Sequence, residues 1–332
     1  MGVESLSEIL MNIALEEGWR YQLLTYPNPA VGSAGYLKGL FFKYPHKKAG
    51  EEHSELGLCW EIYRHFYPNT PELATAEEKF NFLISNHRGL FTQMVMAVTL
   101  EPCAHWGKTP PCAQLLAHLK PKRVIIGVRD PIEGHRGGVE ILQKAGVEVE
   151  VLNSPSAQIL LEPFLRWREG SFKLFKVGET LNGTITGGYI TSLSSRKWVH
   201  QLRATFDAIL IGGETIRVDK PILDARLVGG RPPDVIILTT KKEKISSNFP
   251  LFQVPGRRVH LVSSLQEVEE LNYSSILVEG GGNFYKFLHH WVDWSLFIVA
   301  PSLKPGKSFQ LSRNMELLQV EKRGEDIFVW CR

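Results

Sequence analysis

Cys103 and Cys112 stand nine positions apart in the stretch 99–112, TLEPCAHWGKTPPC, and each directly follows a proline. Upstream, His53-Ser54-Glu55 sets an imidazole two residues before a carboxylate. One imidazole and two thiolates make three ligands for zinc, and three protein ligands leave the fourth position open for water. That is the catalytic pattern, not the closed structural one. Glu55 is then the spare group, because attack of an activated water on an amidine carbon must be accompanied by proton transfers. The competing reading is plain: a free cysteine is most often a small buried hydrophobe. Cys59 and Cys331 lack any such context and are read that way.

Three further stretches could meet a ligand. Ile276-Leu277-Val278-Glu279 runs as a strand into Gly280-Gly281-Gly282 and then a helix. Glycines let backbone approach a ligand, and a helix N-terminus favours phosphate. The spacing is not that of a dinucleotide fingerprint, and a flexible turn explains it equally well. Gly212-Gly213-Glu214-Thr215 is a second glycine turn at a strand end, with Arg203, Asp219 and Arg226 near it in sequence. Arginine suits phosphate through its planar fork, but surface ion pairing is the simpler account of these three. Tyr26-Pro27-Asn28-Pro29-Ala30-Val31-Gly32 fixes an extended loop around Asn28.

The elements that must carry these residues alternate. Leu6, Ile9, Leu10, Ile13 and Ala14 recur at helical spacing, with Ser5 as a cap. Residues 53–66 read as a helix, and neighbours two apart on a helix point about 200° away from each other. His53 and Glu55 can therefore serve one ion only from the first turn. The polar stretch 68–92 reads as a surface insertion. Strands are expected at 93–100, 122–128 and 147–152, with helices at 112–119 and 138–145 between them. Cys112 opens the first of these helices, where the macrodipole and unpaired N–H groups favour a thiolate. Periodicity fades over 153–171, which reads as a linker. Strands at 172–177, 207–211, 234–239, 258–262, 275–278 and 293–300 follow, with helices at 194–205 and 283–290. The expectation is an α/β protein of two domains, 1–152 and 172–332.

The 332 residues carry 43% hydrophobic and 22% charged residues, the balance of an ordinary globular protein. No apolar run reaches the length of a membrane span, and MGVESLSEIL lacks the basic and apolar regions of a secretory signal. Four cysteines without paired spacing point to a reducing, cytoplasmic compartment. A net charge of +3 is too small to imply nucleic acid.

Taken together the motifs resemble one family over nearly the whole chain. It is the bifunctional riboflavin-biosynthesis family, a pyrimidine deaminase fused to a 5-amino-6-(5-phosphoribosylamino)uracil reductase. The first half matches through YPNPAVG (26–32), KKAGEEHSE (47–55), TLEPCAHWGKTPPC (99–112) and KAGVEV (144–149). The second matches through FKLFKVGETLNG (172–183), LRATFDAILIGGETIRVDKPILDAR (202–226), LVEGGG (277–282) and VDWSLFIVAPSL (292–303). The long spacing between the two cysteines is this family's own form of the zinc-deaminase signature.

The resemblance implies a cytidine-deaminase-like α/β/α layer domain followed by a dihydrofolate-reductase-like α/β domain. It implies one Zn2+ per chain on His53, Cys103 and Cys112, with Glu55 as proton shuttle. Asn28 would help hold the pyrimidine. Gly187, Arg203, Leu223, Arg226 and Glu279 would contact the phosphoribosyl substrate in the second domain. NADPH would lie against Gly178, Tyr189, Thr215, Asp219, Thr240 and the run Gly281, Gly282, Asn283, Phe284, Tyr285, Lys286 and Phe287. A homo-oligomer with a phosphoribosylaminopyrimidine substrate, and no nucleic-acid or membrane partner, is the expectation. Departures stand at Ser54, where the family has alanine, at Asn182 and Tyr189, at 33–45, a poor match to the usual strand pair, and in the length of 61–92. No side chain of the second half is an obvious general acid. Two other classes share parts of the pattern: a nucleic-acid base deaminase with an accessory domain, and a non-enzymatic remnant of the family.

Overall fold

The computed structural model describes residues 5–107, 109–309 and 312–332, so Lys108 of the cysteine loop lies outside the described residues. The chain divides into two compact units, 1–164 and 165–332.

In the first unit α1 (Leu6–Arg20) starts at a capping box. Ser5 Oγ accepts from the Glu8 N–H, and the Glu8 carboxylate accepts from the Ser5 N–H at 2.7 Å. The strands β1 (Gly32–Leu37) and β2 (Leu40–Pro45) form a hairpin, and α2 (Ser54–Phe66) and α3 (Ala76–Asn86) follow. Then come β3 (Val95–Leu100), α4 (Cys112–Leu119), β4 (Arg123–Val128), α5 (Gly138–Lys144) and β5 (Glu148–Val151). The sheet order is β2-β1-β3-β4-β5; β1 is antiparallel to both neighbours, while β3, β4 and β5 run parallel. Met96, Val98, Val124 and Ile126 pack one sheet face against apolar residues of α2 to α5. α1 packs so closely on β1 that a Cβ at Gly32 would run into the Ala14 carbonyl.

Three expectations change here. The stretch 33–45 forms the strand pair despite its unusual residues, in register from Gly32 opposite Pro45 to Leu37 opposite Leu40. The polar stretch 68–92 is not merely a surface insertion. It contains α3, with its own Thr75/Glu78 capping box, and Phe80 and Leu83 reach the core. The stretch 153–171 is mostly helix, α6 (Pro155–Glu169), and the division between units falls inside it.

The second unit continues with β6 (Phe172–Thr180), α7 (Leu193–Thr205), β7 (Ala208–Gly212), α8 (Gly213–Asp219), β8 (Asp234–Leu238) and β9 (Val259–Val262). It ends with α9 (Leu265–Glu269), β10 (Ser275–Glu279), α10 (Gly282–Leu288), β11 (Trp294–Ala300), β12 (Leu317–Arg323) and β13 (Asp326–Cys331). The sheet order is β12-β13-β11-β6-β10-β7-β8-β9. From β11 to β9 the strands are parallel, and only β13 and β12 run antiparallel to their neighbours. A parallel sheet collects its ligand-facing loops at the carboxyl ends of its strands. Here those ends are Thr180, Gly212, Leu238, Glu279 and Ala300.

Candidate active sites

His53 is the N-cap of α2, and Cys112 is the first residue of α4 after the Pro111 N-cap. Two helix starts and the loop after β3 thus bring His53, Cys103 and Cys112 together, with their donor atoms all within 4.8 Å of one another. His53 Nδ1 lies 3.5 Å from Cys103 Sγ and 3.7 Å from Cys112 Sγ. Zinc bonds to sulfur and nitrogen at a tetrahedral angle put those atoms about 3.6 Å apart. Two soft sulfurs and one imidazole, at that spacing, fit zinc with a fourth position to spare. The other ring nitrogen, Nε2, lies 3.1 Å from Thr109 Oγ1, a contact that holds the ring with Nδ1 turned to the sulfurs.

The thiols are already polarised. Cys103 Sγ accepts from the Cys112 backbone N–H at 3.3 Å. The Cys112 thiol, then the His53 ring, hold Cys103 well below the usual thiol range, and Cys103 in turn holds Cys112 above it. The pair shares one proton, which a divalent ion would displace. Burial alone would depress His53, but the hydrogen bond and charge of Cys103 outweigh it and raise the ring.

Glu55 sits in the first turn of α2 and is buried, and burial pushes its carboxyl up. Ser54, the departure from the family's alanine, is fully buried beside it. Its hydroxyl donates to Glu55 Oε2 at 3.1 Å and meets Ser33 Oγ at 2.6 Å. Asn28, His46, His53, Glu55, Cys103 and Thr109 line one cavity of about 270 Å³. The Asn28 amide donates to His46 Nε2 at 3.2 Å, and His46 Nδ1 donates to the Glu52 carbonyl at 3.0 Å. The Asn28 backbone carbonyl accepts from the Thr25 hydroxyl at 2.9 Å, and its side-chain Oδ1 is the atom left to meet a ligand. Burial, and then the neighbouring His53, hold His46 down at about 4, so it is a neutral member of the chain.

Sequence reasoning passed over Glu101, which also lines the cavity. Its buried carboxylate accepts from the N–H groups of Asp130, Gly137 and Val139 at 3.1–3.2 Å. It therefore ties the wall carrying Asp130 and His135 to the loop of Cys103. A glutamate between an apolar strand and a proline was the available signal.

In the second unit Arg203 and Glu279 are not a surface pair. The Arg203 fork meets both Glu279 oxygens at 2.8 Å, and Lys176 Nζ reaches Oε2 at 3.3 Å. Burial opposes the charge on Glu279, but the Arg203 and Lys176 charges outweigh it and hold the carboxyl far below its usual range. Burial pulls the Lys176 ammonium down. Lys176 was missed, although a lysine inside the apolar strand FKLFKV marked it. Leu223 is buried with φ +57, left-handed for a leucine. Arg257 holds the carbonyls of Ile222 and Leu223 at 2.6 and 2.7 Å. Arg226, half-exposed, pairs with Asp224 at 2.6 Å.

The residues expected beside a dinucleotide divide into two groups. Thr215 opens onto the first turn of α8, Thr240 follows β8, and Gly281-Gly282-Asn283 begins α10. All stand at carboxyl ends of parallel strands. Neither α8 nor α10 has a side-chain hydrogen bond at its N-cap among the described residues. Asp219, Lys286 and Phe287 are exposed. Gly178 lies in β6 against Thr191, Gly187 has φ +101 with open space beside it, and Tyr189 is exposed under the Arg196 guanidinium. Two residues of the run stand elsewhere. Tyr285 is a core residue, its hydroxyl 2.9 Å from Ser295 Oγ and its ring 4.3 Å from that of Phe175. The Phe284 ring packs over Gly212 and Gly280. Both face inward because they lie on the side of α10 that closes the core.

A hydrolytic metal-type site in one α/β unit and a dinucleotide-type strand edge in the other define a two-headed enzyme. The comparisons agree. The RibD C-terminal domain family matches residues 178–329. Riboflavin biosynthesis protein RibD of Bacillus amyloliquefaciens is 29% identical, covering 97% of this chain and 95% of its own. RibD of Actinobacillus pleuropneumoniae is 32% identical, covering 70% of this chain and 76% of its own. A crystal structure of a diaminohydroxyphosphoribosylaminopyrimidine deaminase/5-amino-6-(5-phosphoribosylamino)uracil reductase from Thermotoga maritima matches 98% of both chains, with TM-score 0.65 and 25% identity. The chain belongs to the RibD family, the bifunctional deaminase/reductases of riboflavin biosynthesis. Among the described residues no helix is long and apolar enough to cross a membrane.

Proposed function

We propose that the first unit hydrolyses the amino group of 2,5-diamino-6-(5-phosphoribosylamino)pyrimidin-4(3H)-one, and that the second reduces the ribosyl group of the product to ribityl with NADPH. The observation that carries this reading is the cluster of His53, Cys103 and Cys112, their donor atoms within 4.8 Å of one another, at a cavity that His53, Cys103 and Glu55 line. His53, Cys103 and Cys112 would hold one zinc per chain, which supplies Lewis-acid activation of water when bound. Glu55 takes a proton from water and returns it to the departing ammonia, so the amidine and water leave as carbonyl and ammonia. Ser54 occupies Oε2, which leaves Oε1 as the oxygen that moves the proton. Asn28, oriented by His46, holds the pyrimidine edge.

In the second unit the carboxyl ends of β7, β8 and β10 would hold NADPH, which when bound would supply the hydride for reduction at C1′. Arg203, Arg226, Glu279 and the backbone around Leu223 and Gly187 position the phosphoribosyl group. Lys176 is the general acid that sequence reasoning did not find: its buried, depressed ammonium can release a proton to the ribose oxygen as the ring opens. Four free cysteines support a reducing, cytoplasmic setting. The exposed Leu317 and Val320 of edge strand β12 support self-association. One purified sample tests the reading. It should contain about one zinc per chain, release ammonia from the diaminopyrimidine, and oxidise NADPH only with the deaminated product. Ammonia release without bound metal, or no oxidation of NADPH, would overturn it.

A further inference from the structure

Among the described residues Arg217 has no hydrogen-bond or ion-pair partner. It lies on α8, and its Nη1 is buried with no hydrogen bond. Side chains on a helix lean toward its N-terminus, and Arg217 does so. A Cβ built on Gly213, the first residue of α8, would stand 3.2 Å from Arg217 Nη1 and 2.7 Å from Thr239 Oγ1. The missing side chain at Gly213 is therefore the space through which the guanidinium reaches the end of β8. There Thr239 and Thr240 follow the strand. A buried guanidinium nitrogen normally finds an acceptor, because leaving it unmet costs its desolvation. The acceptor missing here is an anion that arrives at the carboxyl edge of the sheet.

We propose that Arg217 is a phosphate-binding residue for the dinucleotide, closing on a phosphate group in the crevice between the ends of β7 and β8. The proposal rests on the reading of the second unit as an NADPH-binding unit. The phosphate could be the 2′-phosphate or the pyrophosphate, and the two differ in what NADH, which lacks the former, would feel.

The experiment is equilibrium binding of NADPH and of NADH to the full-length protein, followed by nucleotide fluorescence without the second substrate. Arg217→Gln should weaken NADPH about 10–100-fold, the effect of losing one charge-assisted phosphate contact. Arg217→Lys should recover part of that loss. A loss confined to NADPH assigns the 2′-phosphate; an equal loss for NADH assigns the pyrophosphate. Calorimetric melting of the same samples shows whether the second unit, which carries Arg217, is folded in each variant. If the unmodified protein binds NADPH and Arg217→Gln binds it within about twofold of that affinity, the proposal is wrong while the cofactor reading stands. If the unmodified protein binds no NADPH, the cofactor reading fails first. If Arg217→Gln does not fold, Arg217→Lys at full affinity for both nucleotides overturns the proposal.

Discussion

Glu279→Gln should be the most damaging single change to the buried charges of the second unit. Lys176, Arg203 and Glu279 are joined by three charge-assisted contacts at 2.8, 2.8 and 3.3 Å, and together they carry one excess positive charge. Replacing Glu279 by the isosteric amide leaves two buried cations facing each other. Replacing Lys176 by methionine leaves the Arg203–Glu279 fork intact and nearly neutral. Breaking a buried pair by removing one partner costs about 3–5 kcal/mol. For a unit of this size each kcal/mol moves the melting point by roughly 2–4 °C, so the drop is roughly 6–20 °C. Lys176→Met should cost much less, or stabilise, while abolishing reduction.

The pH dependence has a definite sign. The folded-state pKa of Glu279 is depressed from 4.5, so its contribution is present above that value and is lost as the pH falls below it. The gap between Glu279→Gln and the unmodified protein should therefore narrow on acidification. Calorimetry of the full chain at neutral and acid pH measures this. A Glu279→Gln protein that melts within about 2 °C of the parent, or one that melts above Lys176→Met, would refute the reasoning.

Three further outcomes are expected. Cys103→Ser should lose most of its zinc by elemental analysis, because one of the two sulfurs facing His53 Nδ1 is gone; full occupancy would contradict the ligand set. Glu55→Gln should keep its metal yet slow ammonia release by at least about 10²–10⁴-fold, with reduction of supplied deaminated product unchanged. Arg226→Ala should raise the reductase KM for the deaminated substrate about 10–100-fold at little change in NADPH affinity; if only the surface pair with Asp224 is lost, the effect is at most about 1 kcal/mol.

Much of the first site was legible because its residues are local signals. Proline before each cysteine marks a strand end and a helix start, and α4 begins at Cys112 as its sequence indicates. His53 and Glu55 serve one cavity because His53 is a cap, outside the regular helix. What was not legible depends on partners distant in sequence. The hairpin β1–β2 is held by pairing with β3 and by α1, not by its own alternation. α3 reads as polar because Phe80 and Leu83 are its only buried residues among those described, while Phe82 packs half-exposed against Trp60 and Tyr63. β12 and β13 pair through strands rich in charge, with a register shift near Leu317. Lys176 reads as an ordinary strand lysine until β10 places Glu279 in register beside it.

The two sites solve opposite electrostatic problems with the same devices. Around His53 the chain concentrates negative groups: a thiolate at Cys103, a second thiol at Cys112 and the carboxyl of Glu55. Buried carboxyls and thiols drift toward their neutral forms without a cation, and burial raises Glu55 and Cys112 as expected. A divalent ion would reverse that tendency for the thiols while leaving the Glu55 carboxyl, raised by burial, outside the ligand set. Around Glu279 the excess is positive, and burial instead pulls the ammonium of Lys176 toward neutrality. An anionic phosphoribosyl group brought to that cluster would offset the burial and favour the ammonium form of Lys176. On this reading the proton that opens the ribose is loaded by the same charge that brings the substrate in. Lys176→Met should then abolish reduction while leaving binding of the phosphoribosyl substrate largely to Arg203 and Arg226. A titration of substrate into Lys176→Met that shows no binding at all would place Lys176 in substrate capture instead of proton transfer.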